Sequence, residues 1–146
     1  MGLIGIYGIG EIENNKVILL KPQTYMNESG KSIIQVKNYF KIDDKDIIVI
    51  YDDIDLDVGV VKIRKKGGPG THNGMRSVVK ELNSTDFIRV RIGTGKPEFK
   101  EMLISYVIQK LDDKQYGELT DSINKAAKCI TDIMKFGVDN AMNKDN

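Results

Sequence analysis

The run Ile47–Tyr51 (IIVIY) constrains the fold of this chain more than any other segment. A continuous run of β-branched residues is typical of a strand that is buried on both faces of a sheet. Two further strands are predicted at Val58–Lys65 and Phe87–Ile92. Because helical patterns lie between and beyond these runs, the sequence predicts an α/β domain with a central mixed sheet flanked by helices.

Three helices are predicted from the spacing of apolar residues. The first begins at Ser29, a good N-cap, and the second near Asn73. The apolar positions of the second helix, spaced i, i+3, i+4 and i+7, are Met75, Val78, Val79 and Leu82. The third begins at Asp112 or Asp113 and ends at Gly137. Its predicted apolar stripe consists of Leu119, Ile123, Ala126, Ala127, Ile130, Ile133 and Met134.

The two ends of the chain carry simpler patterns. Strands at Gly2–Ile9 and Lys16–Lys21, joined by the polar turn Glu13–Asn15, predict a hairpin that Pro22 ends. The polar residues 139–146 predict a tail that frays.

The composition indicates an ordinary soluble globular protein in one domain, residues 1–146, of which 40% are hydrophobic and 29% are charged. No apolar run approaches the roughly 20 residues that a membrane span needs, so we expect a cytoplasmic protein. Net charge is +1, which means that any nucleic-acid binding depends on local clusters of basic residues. One cysteine and one histidine exclude an internal disulfide and a zinc-type ligand set, and Cys129 is predicted to be a buried structural thiol.

Four loops that adjoin strand ends concentrate unusual residues, at the place where α/β sheets usually bind ligands. The first, Pro22–Gly30, is consistent with a plain connection from a strand to a helix. Its end, Gly30-Lys31-Ser32, is similar to the end of a phosphate-binding P-loop. That motif is rejected because Tyr25 stands where its first glycine is required.

The second loop carries four carboxylates, Asp52, Asp53, Asp55 and Asp57, directly after the predicted buried strand. Three interpretations remain open from the residues alone. They are a solvated edge, a site for a divalent ion, and a carboxylate that orients a histidine in acid–base chemistry.

The third and fourth loops are rich in glycine. The stretch Gly67–Gly74 lies between basic residues and leads into a helix N-terminus, so it indicates a contact with phosphate or an RNA backbone. Within it, His72 is either a helix cap or a ligand contact. The fourth loop, Gly93–Pro97, is a simple turn from which Lys96 could reach a phosphate.

Four segments occur in an order and with separations that suit one known family. They are KPQTYMNESG, VIYDDIDLDVG, RKKGGPGTHNGMRSV and FIRVRIGTGKP. Together they resemble the bacterial peptidyl-tRNA hydrolases, over about Met1–Asn143. The resemblance implies a monomeric enzyme that cleaves the ester between a peptide and the 3′ end of tRNA, without a metal or another cofactor, by a histidine base that activates water.

The resemblance also implies roles for individual residues. Asp52 orients the base, Asn27 positions the substrate and the water, and Tyr25 and Met26 lie beside the terminal adenosine. Asn73 binds the ester end, His72 is adjacent to the site without being the base, and Gly70 lets the backbone approach the peptide. The basic residues that would contact tRNA phosphates are Lys62, Arg64, Lys65, Lys66, Arg76 and Lys96.

The segment that carries the base in this family, with its first strand and helix, has no counterpart in this sequence. We therefore expect the chain to be inactive or impaired, since losing a positioned base costs on the order of 10²–10⁴ in rate. Two alternatives to a hydrolase stay open. One is a non-catalytic module that binds the tRNA 3′ end, and the other is a phosphate-dependent enzyme of unrelated chemistry.

Overall fold

A computed structural model describes residues 5–23, 28–70, 72–95 and 113–146 of the chain, with the backbone alone at 113–116 and 119. The chain divides into two compact units. One contains Met1–Ile48 and Lys65–Ile88, and the other contains Val49–Arg64 and Arg89–Asn146. The single domain that the sequence analysis expects over residues 1–146 stays a prediction. None of the helices in the described ranges is both long and apolar enough to cross a bilayer.

The first unit begins with an antiparallel hairpin of β1 (Gly5–Ile12) and β2 (Asn15–Pro22). Its two-residue turn places Glu13 and Asn14 at φ 49° and 64°, the left-handed pair that matches the twist of a tight hairpin. Strand pairing continues up to this turn, so β1 reaches Ile12 rather than ending at Ile9 as predicted.

Helices α1 (Ser29–Phe40) and α2 (Asn73–Leu82) pack against each other in the same unit. The predicted face of α2 is confirmed, because Met75, Val78 and Leu82 are buried. The predicted cap of α1 is wrong by one residue, since Ser29 is already helical and Glu28 is the N-cap. A single 3-10 turn at Asp44–Asp46 follows α1.

A three-stranded sheet contains β3 (Ile48–Asp53), β4 (Val61–Arg64) and β5 (Ile88–Gly93) in the order β3-β5-β4. The Ile88 N–H donates to the Ile47 carbonyl and the Thr94 N–H to the Asp53 carbonyl, so β3 and β5 run parallel. Strand β4 is antiparallel to β5. The predicted α/β class with a mixed sheet is thereby confirmed.

The prediction that IIVIY is buried on both faces is wrong, as Ile50 is 48% exposed. In the described part of the chain β3 lies at the end of the strand order and pairs with β5 alone. Strand β4 is also shorter than predicted. It begins at Val61 because residues before it form a turn closed by the Val60 N–H and the Asp57 carbonyl.

The second unit ends in α3 (Asp113–Phe136) and α4 (Val138–Asp145), with Gly137 at φ 85° between them. The buried face of α3 contains Ala126, Cys129 and Ile133, which confirms the buried thiol. The predicted stripe was partly wrong, since Ile123 is 52% exposed and Ala127 is exposed. The side chain of Leu119 lies outside the described residues.

The prediction of a frayed tail from Asp139 is wrong. Residues 138–145 form helix α4, in which Ala141 is fully buried and Asp145 binds Lys128 with a 2.7 Å contact. These tertiary contacts provide the stability that the polar composition of this segment does not.

Candidate functional site

The acidic loop begins at the carboxyl end of β3, where Asp52 and Asp53 are the last two strand residues and both are half-buried. One Asp53 oxygen lies 3.2 Å from Nη1 of Arg91, and the other accepts the N–H of Asp55 at 2.8 Å. The side chains of Arg91 and Asp53 are only 18% and 13% exposed. Both oxygens of Asp53 are therefore engaged in contacts that link β3 to the turn after it and to β5.

The backbone at the end of β5 and just after it holds the rest of the acidic loop. The N–H groups of Gly93, Thr94 and Gly95 donate to the carbonyls of Val60, Asp53 and Leu56 at 2.8, 3.2 and 2.9 Å. A Cβ at Gly93 would overlap the Asp57 carbonyl, so only glycine lets the two segments approach this closely. The glycines of the fourth loop thus serve packing, a function that the sequence analysis missed.

Helix α3 adds one more anchor, because Nζ of Lys125 donates to the Gly59 carbonyl at 2.7 Å. Asp55 and Asp57 are exposed. Among the described residues, no three His, Cys, Asp or Glu side chains are grouped so that they could hold a metal ion. The geometry of this loop therefore presents Asp52 from a rigid strand end.

Tyr51 directly precedes Asp52 and Asp53, and the same neighbouring charges affect the pKa of its hydroxyl. Burial raises the pKa of its hydroxyl, and the negative charge of Asp53 raises it further, against the opposing effect of Arg91, Arg89 and Arg64. The hydroxyl therefore stays neutral and can donate a hydrogen bond at neutral pH.

The glycine loop belongs to the other unit and has a different character. Gly67 and Gly70 have φ of 143° and 59°, and a Cβ at Gly68 or Gly70 would meet no atom within 4 Å. The His72 N–H donates to the Pro69 carbonyl at 3.3 Å, which closes a turn before α2. The loop therefore presents backbone in open space next to a helix N-terminus.

His72 is the N-cap of α2, where its Nδ1 accepts the N–H of Met75 at 3.1 Å. Because Nδ1 is the acceptor, the proton of the neutral imidazole lies on Nε2. Neither nitrogen then offers a lone pair to water while the cap is formed. The cap interpretation of His72 thus has direct geometric support.

Asn73, the first residue of α2, is exposed, and its Oδ1 accepts from Nη1 of Arg76 at 3.4 Å. The next residues, Gly74 and Met75, are buried and fix the helix that carries it. Asn73 thus presents an amide at the positive end of a helix dipole.

The first turn of α1 is anchored to this same helix. The Gly30 N–H donates to Oγ of Ser77 at 2.9 Å, and a Cβ at Gly30 would overlap the Ser77 carbonyl. Gly30 therefore serves close helix packing. Tyr25, Met26 and Asn27, which precede this contact in the sequence, lie outside the described residues, as does Lys96.

Four basic residues lie on one face of strands β4 and β5. The register pairs Lys62 with Arg91 and Arg64 with Arg89, and cross-strand partners lie on the same side of a sheet. Lys62 and Arg64 are exposed, whereas Arg89 is fully buried. Sequence reasoning missed Arg89 and Arg91, although the alternation in FIRVRI places them on one face. In the other unit, Lys65, Lys66 and Arg76 are exposed.

The family model for peptidyl-tRNA hydrolase matches residues 3–146. The chain belongs to the peptidyl-tRNA hydrolase family.

Similar curated proteins agree with this family. The peptidyl-tRNA hydrolase of Clostridium acetobutylicum is 46% identical over 145 residues, which are 99% of this chain and 76% of that protein. The peptidyl-tRNA hydrolase of Thermoanaerobacter sp. strain X514 is 45% identical over 141 residues, with 97% and 76% covered.

A solved structure of peptidyl-tRNA hydrolase from Acinetobacter baumannii matches with a TM-score of 0.88 and 34% identity, over 98% of this chain and 72% of that one. The fold expected from the family resemblance is therefore confirmed, as is the assignment to a hydrolase of the peptidyl-tRNA type.

Proposed function

We propose that this chain acts on peptidyl-tRNA at the ester that joins the peptide to the tRNA 3′ end. The proposal rests on the N-terminus of α2, where the exposed side-chain amide of Asn73 follows the open glycine loop. A helix N-terminus favours negative charge, and an ester carbonyl becomes negative when water attacks it. Gly70 leaves space for a peptide backbone beside this point.

Asp52 is proposed to orient the histidine that takes a proton from the attacking water. A carboxylate in this role holds the imidazole and stabilises its charged form. The anchoring of the acidic loop by Asp53 and by the β5 backbone supports the role, because an orienting group must itself be held in place. Asn27 is proposed to position the substrate and the water, with Tyr25 and Met26 beside the terminal adenosine.

The base in this scheme is a histidine other than His72, whose Nδ1 is engaged in capping α2. The sequence contains no second histidine. The expectation that the chain is inactive or impaired, and the alternative of a module that binds the tRNA 3′ end without cleaving it, stay predictions.

Binding of the tRNA backbone is assigned to exposed basic residues near the two loops. In one unit they are Lys62 and Arg64, and in the other they are Lys65, Lys66 and Arg76, with Lys96 as a further candidate. Each phosphate contact releases counterions, so the affinity should fall steeply with added salt. We further propose that the protein is a cytoplasmic monomer.

The role of Asn73 can be tested without requiring turnover. The affinity of the chain is measured for tRNA charged with an N-acetylated amino acid and for the same tRNA without it. Asn73→Ala should weaken binding of the charged tRNA by roughly 5- to 30-fold, as for a lost hydrogen bond, and leave binding of the uncharged tRNA nearly unchanged.

Asn124→Ala, at an exposed position of α3, is the matched control for Asn73→Ala and should change neither affinity. An equal loss for charged and uncharged tRNA would show that Asn73 does not contact the ester end. Hydrolysis of the same charged tRNA is then measured. Release of the N-acetylated amino acid would identify an enzyme, and binding without release would identify a binding module.

A further inference from the structure

Strand β4 and Asn146 are joined by a pair of hydrogen bonds across 83 residues of sequence. The Ile63 N–H donates to Oδ1 of Asn146 at 2.8 Å, and Nδ2 of Asn146 donates to the Ile63 carbonyl at 2.9 Å. One side-chain amide thus makes both bonds that a residue in a neighbouring antiparallel strand would make.

The register of β4 and β5 explains why these two groups of Ile63 are available. The Gly93 N–H donates to the Val60 carbonyl, and Lys62 pairs with Arg91. Because hydrogen-bonded pairs alternate along an antiparallel ladder, Ile63 directs its N–H and carbonyl away from β5. In the described part of the chain β4 ends the strand order, so Asn146 closes this edge.

Asn146 is itself held from two directions. It is the C-cap of α4, and its N–H donates to the Met142 carbonyl at 3.1 Å. The preceding Asp145 lies 2.7 Å from Nζ of Lys128, which also binds Asp132 on α3 at 2.8 Å. The location of the Asn146 amide is therefore set by the packing of α4 on α3.

We propose that Asn146 is a positioning residue for tRNA binding. By fixing the backbone of Ile63, it holds Lys62 and Arg64 on either side at their strand spacing of about 7 Å, where both face solvent. A strand that is already ordered loses less conformational entropy when its side chains bind phosphates. This inference rests on the proposed contact of Lys62 and Arg64 with tRNA phosphates.

The first test measures amide hydrogen exchange at Ile63. Asn146→Ala should accelerate that exchange by at least about tenfold, because a native hydrogen bond that protects this amide is lost. Asn143→Ala is the matched control, since Asn143 is an exposed asparagine of the same helix. Equal exchange rates in the two variants would overturn the proposal.

The second test compares the affinity for uncharged tRNA in two backgrounds. In the native background Asn146→Ala should weaken binding about three- to tenfold, and in Lys62→Gln/Arg64→Gln it should weaken it no further, as for coupled residues. An equal loss in both backgrounds would identify general destabilisation and overturn the positioning role.

The same measurements distinguish this inference from the function on which it rests. If Lys62→Gln/Arg64→Gln alone leaves the tRNA affinity unchanged, the phosphate role of β4 is wrong and the inference fails with it. If that double variant weakens binding but Asn146→Ala does not, only the positioning role of Asn146 is wrong.

Discussion

The acidic loop and the glycine loop both follow strands and both carry candidate chemistry, but they are held in opposite ways. The acidic loop is bound by three backbone hydrogen bonds from Gly93–Gly95 at the end of β5, by Lys125 of α3 and by the Asp53–Arg91 ion pair. The glycine loop has open space around Gly68 and Gly70 and is closed by one turn before His72.

This difference matches two chemical needs. A carboxylate that orients another side chain must not move, since a misplacement of about 1 Å can cost on the order of 100-fold in rate. A backbone that receives a peptide must instead remain accessible. The anchoring around Asp52 and the openness at Gly70 thus each match the separate role proposed for that residue.

The largest expected effect is at the closest approach in the acidic loop. Gly93→Ala should lower the free energy of unfolding by about 3 kcal/mol, because the new Cβ would overlap the Asp57 carbonyl. Gly68→Ala should change it by less than about 0.5 kcal/mol, since that Cβ meets open space. Both are measured by urea unfolding, and equal losses would remove the contrast between the loops.

A smaller loss is expected from the ion pair. Asp53→Asn should cost roughly 1–3 kcal/mol of unfolding free energy, because it leaves the guanidinium of Arg91 largely buried without its carboxylate. Asp55→Asn, at an exposed position, is the control and should be nearly neutral.

Asp53→Asn should also lower the pKa of Tyr51, since the Asp53 charge helps to raise it. The raised pKa means that above about pH 10 the unfolded chain ionises at Tyr51 before the folded one does. Stability is therefore lost as pH rises, and less of it should be lost in Asp53→Asn. A tyrosine NMR titration with unchanged Tyr51 would contradict the coupling.

The smallest effect is expected at the end of the glycine loop. His72→Ala should cost about 1 kcal/mol by removing the cap of α2, and His72→Asn should restore most of it. Thermal unfolding of the two variants measures the difference. Identical stabilities would mean that the cap contributes little and that His72 is held for another purpose.

Local sequence patterns predicted much of the fold. The apolar spacing of Met75, Val78 and Leu82 predicted α2, because a helix that packs on one face needs that period. The prediction for residues 139–146 was wrong because α4 is stabilised by contacts distant in sequence, such as those of Asp145 and Asn146 with Lys128 and Ile63. Local composition does not contain that information.

The candidate site was predicted unevenly. The capping role of His72 was among the interpretations of its sequence position, because His72 directly precedes the predicted helix that begins near Asn73. The packing of Gly30 against Ser77 and of Gly93 against Asp57 could not be predicted, since each depends on a partner from another segment. The roles assigned to Asp52, Asn73 and Gly70 stay predictions.

The paired cations of β4 and β5 have a consequence for folding itself. Lys62 lies opposite Arg91 and Arg64 opposite Arg89, so the register brings like charges together, and the Asp53 carboxylate offsets the charge of Arg91. On the proposed role of Lys62 and Arg64, a bound polyanion would offset their positive charges and stabilise the native state by mass action. The melting temperature would then rise with the concentration of the polyanion and would measure its binding.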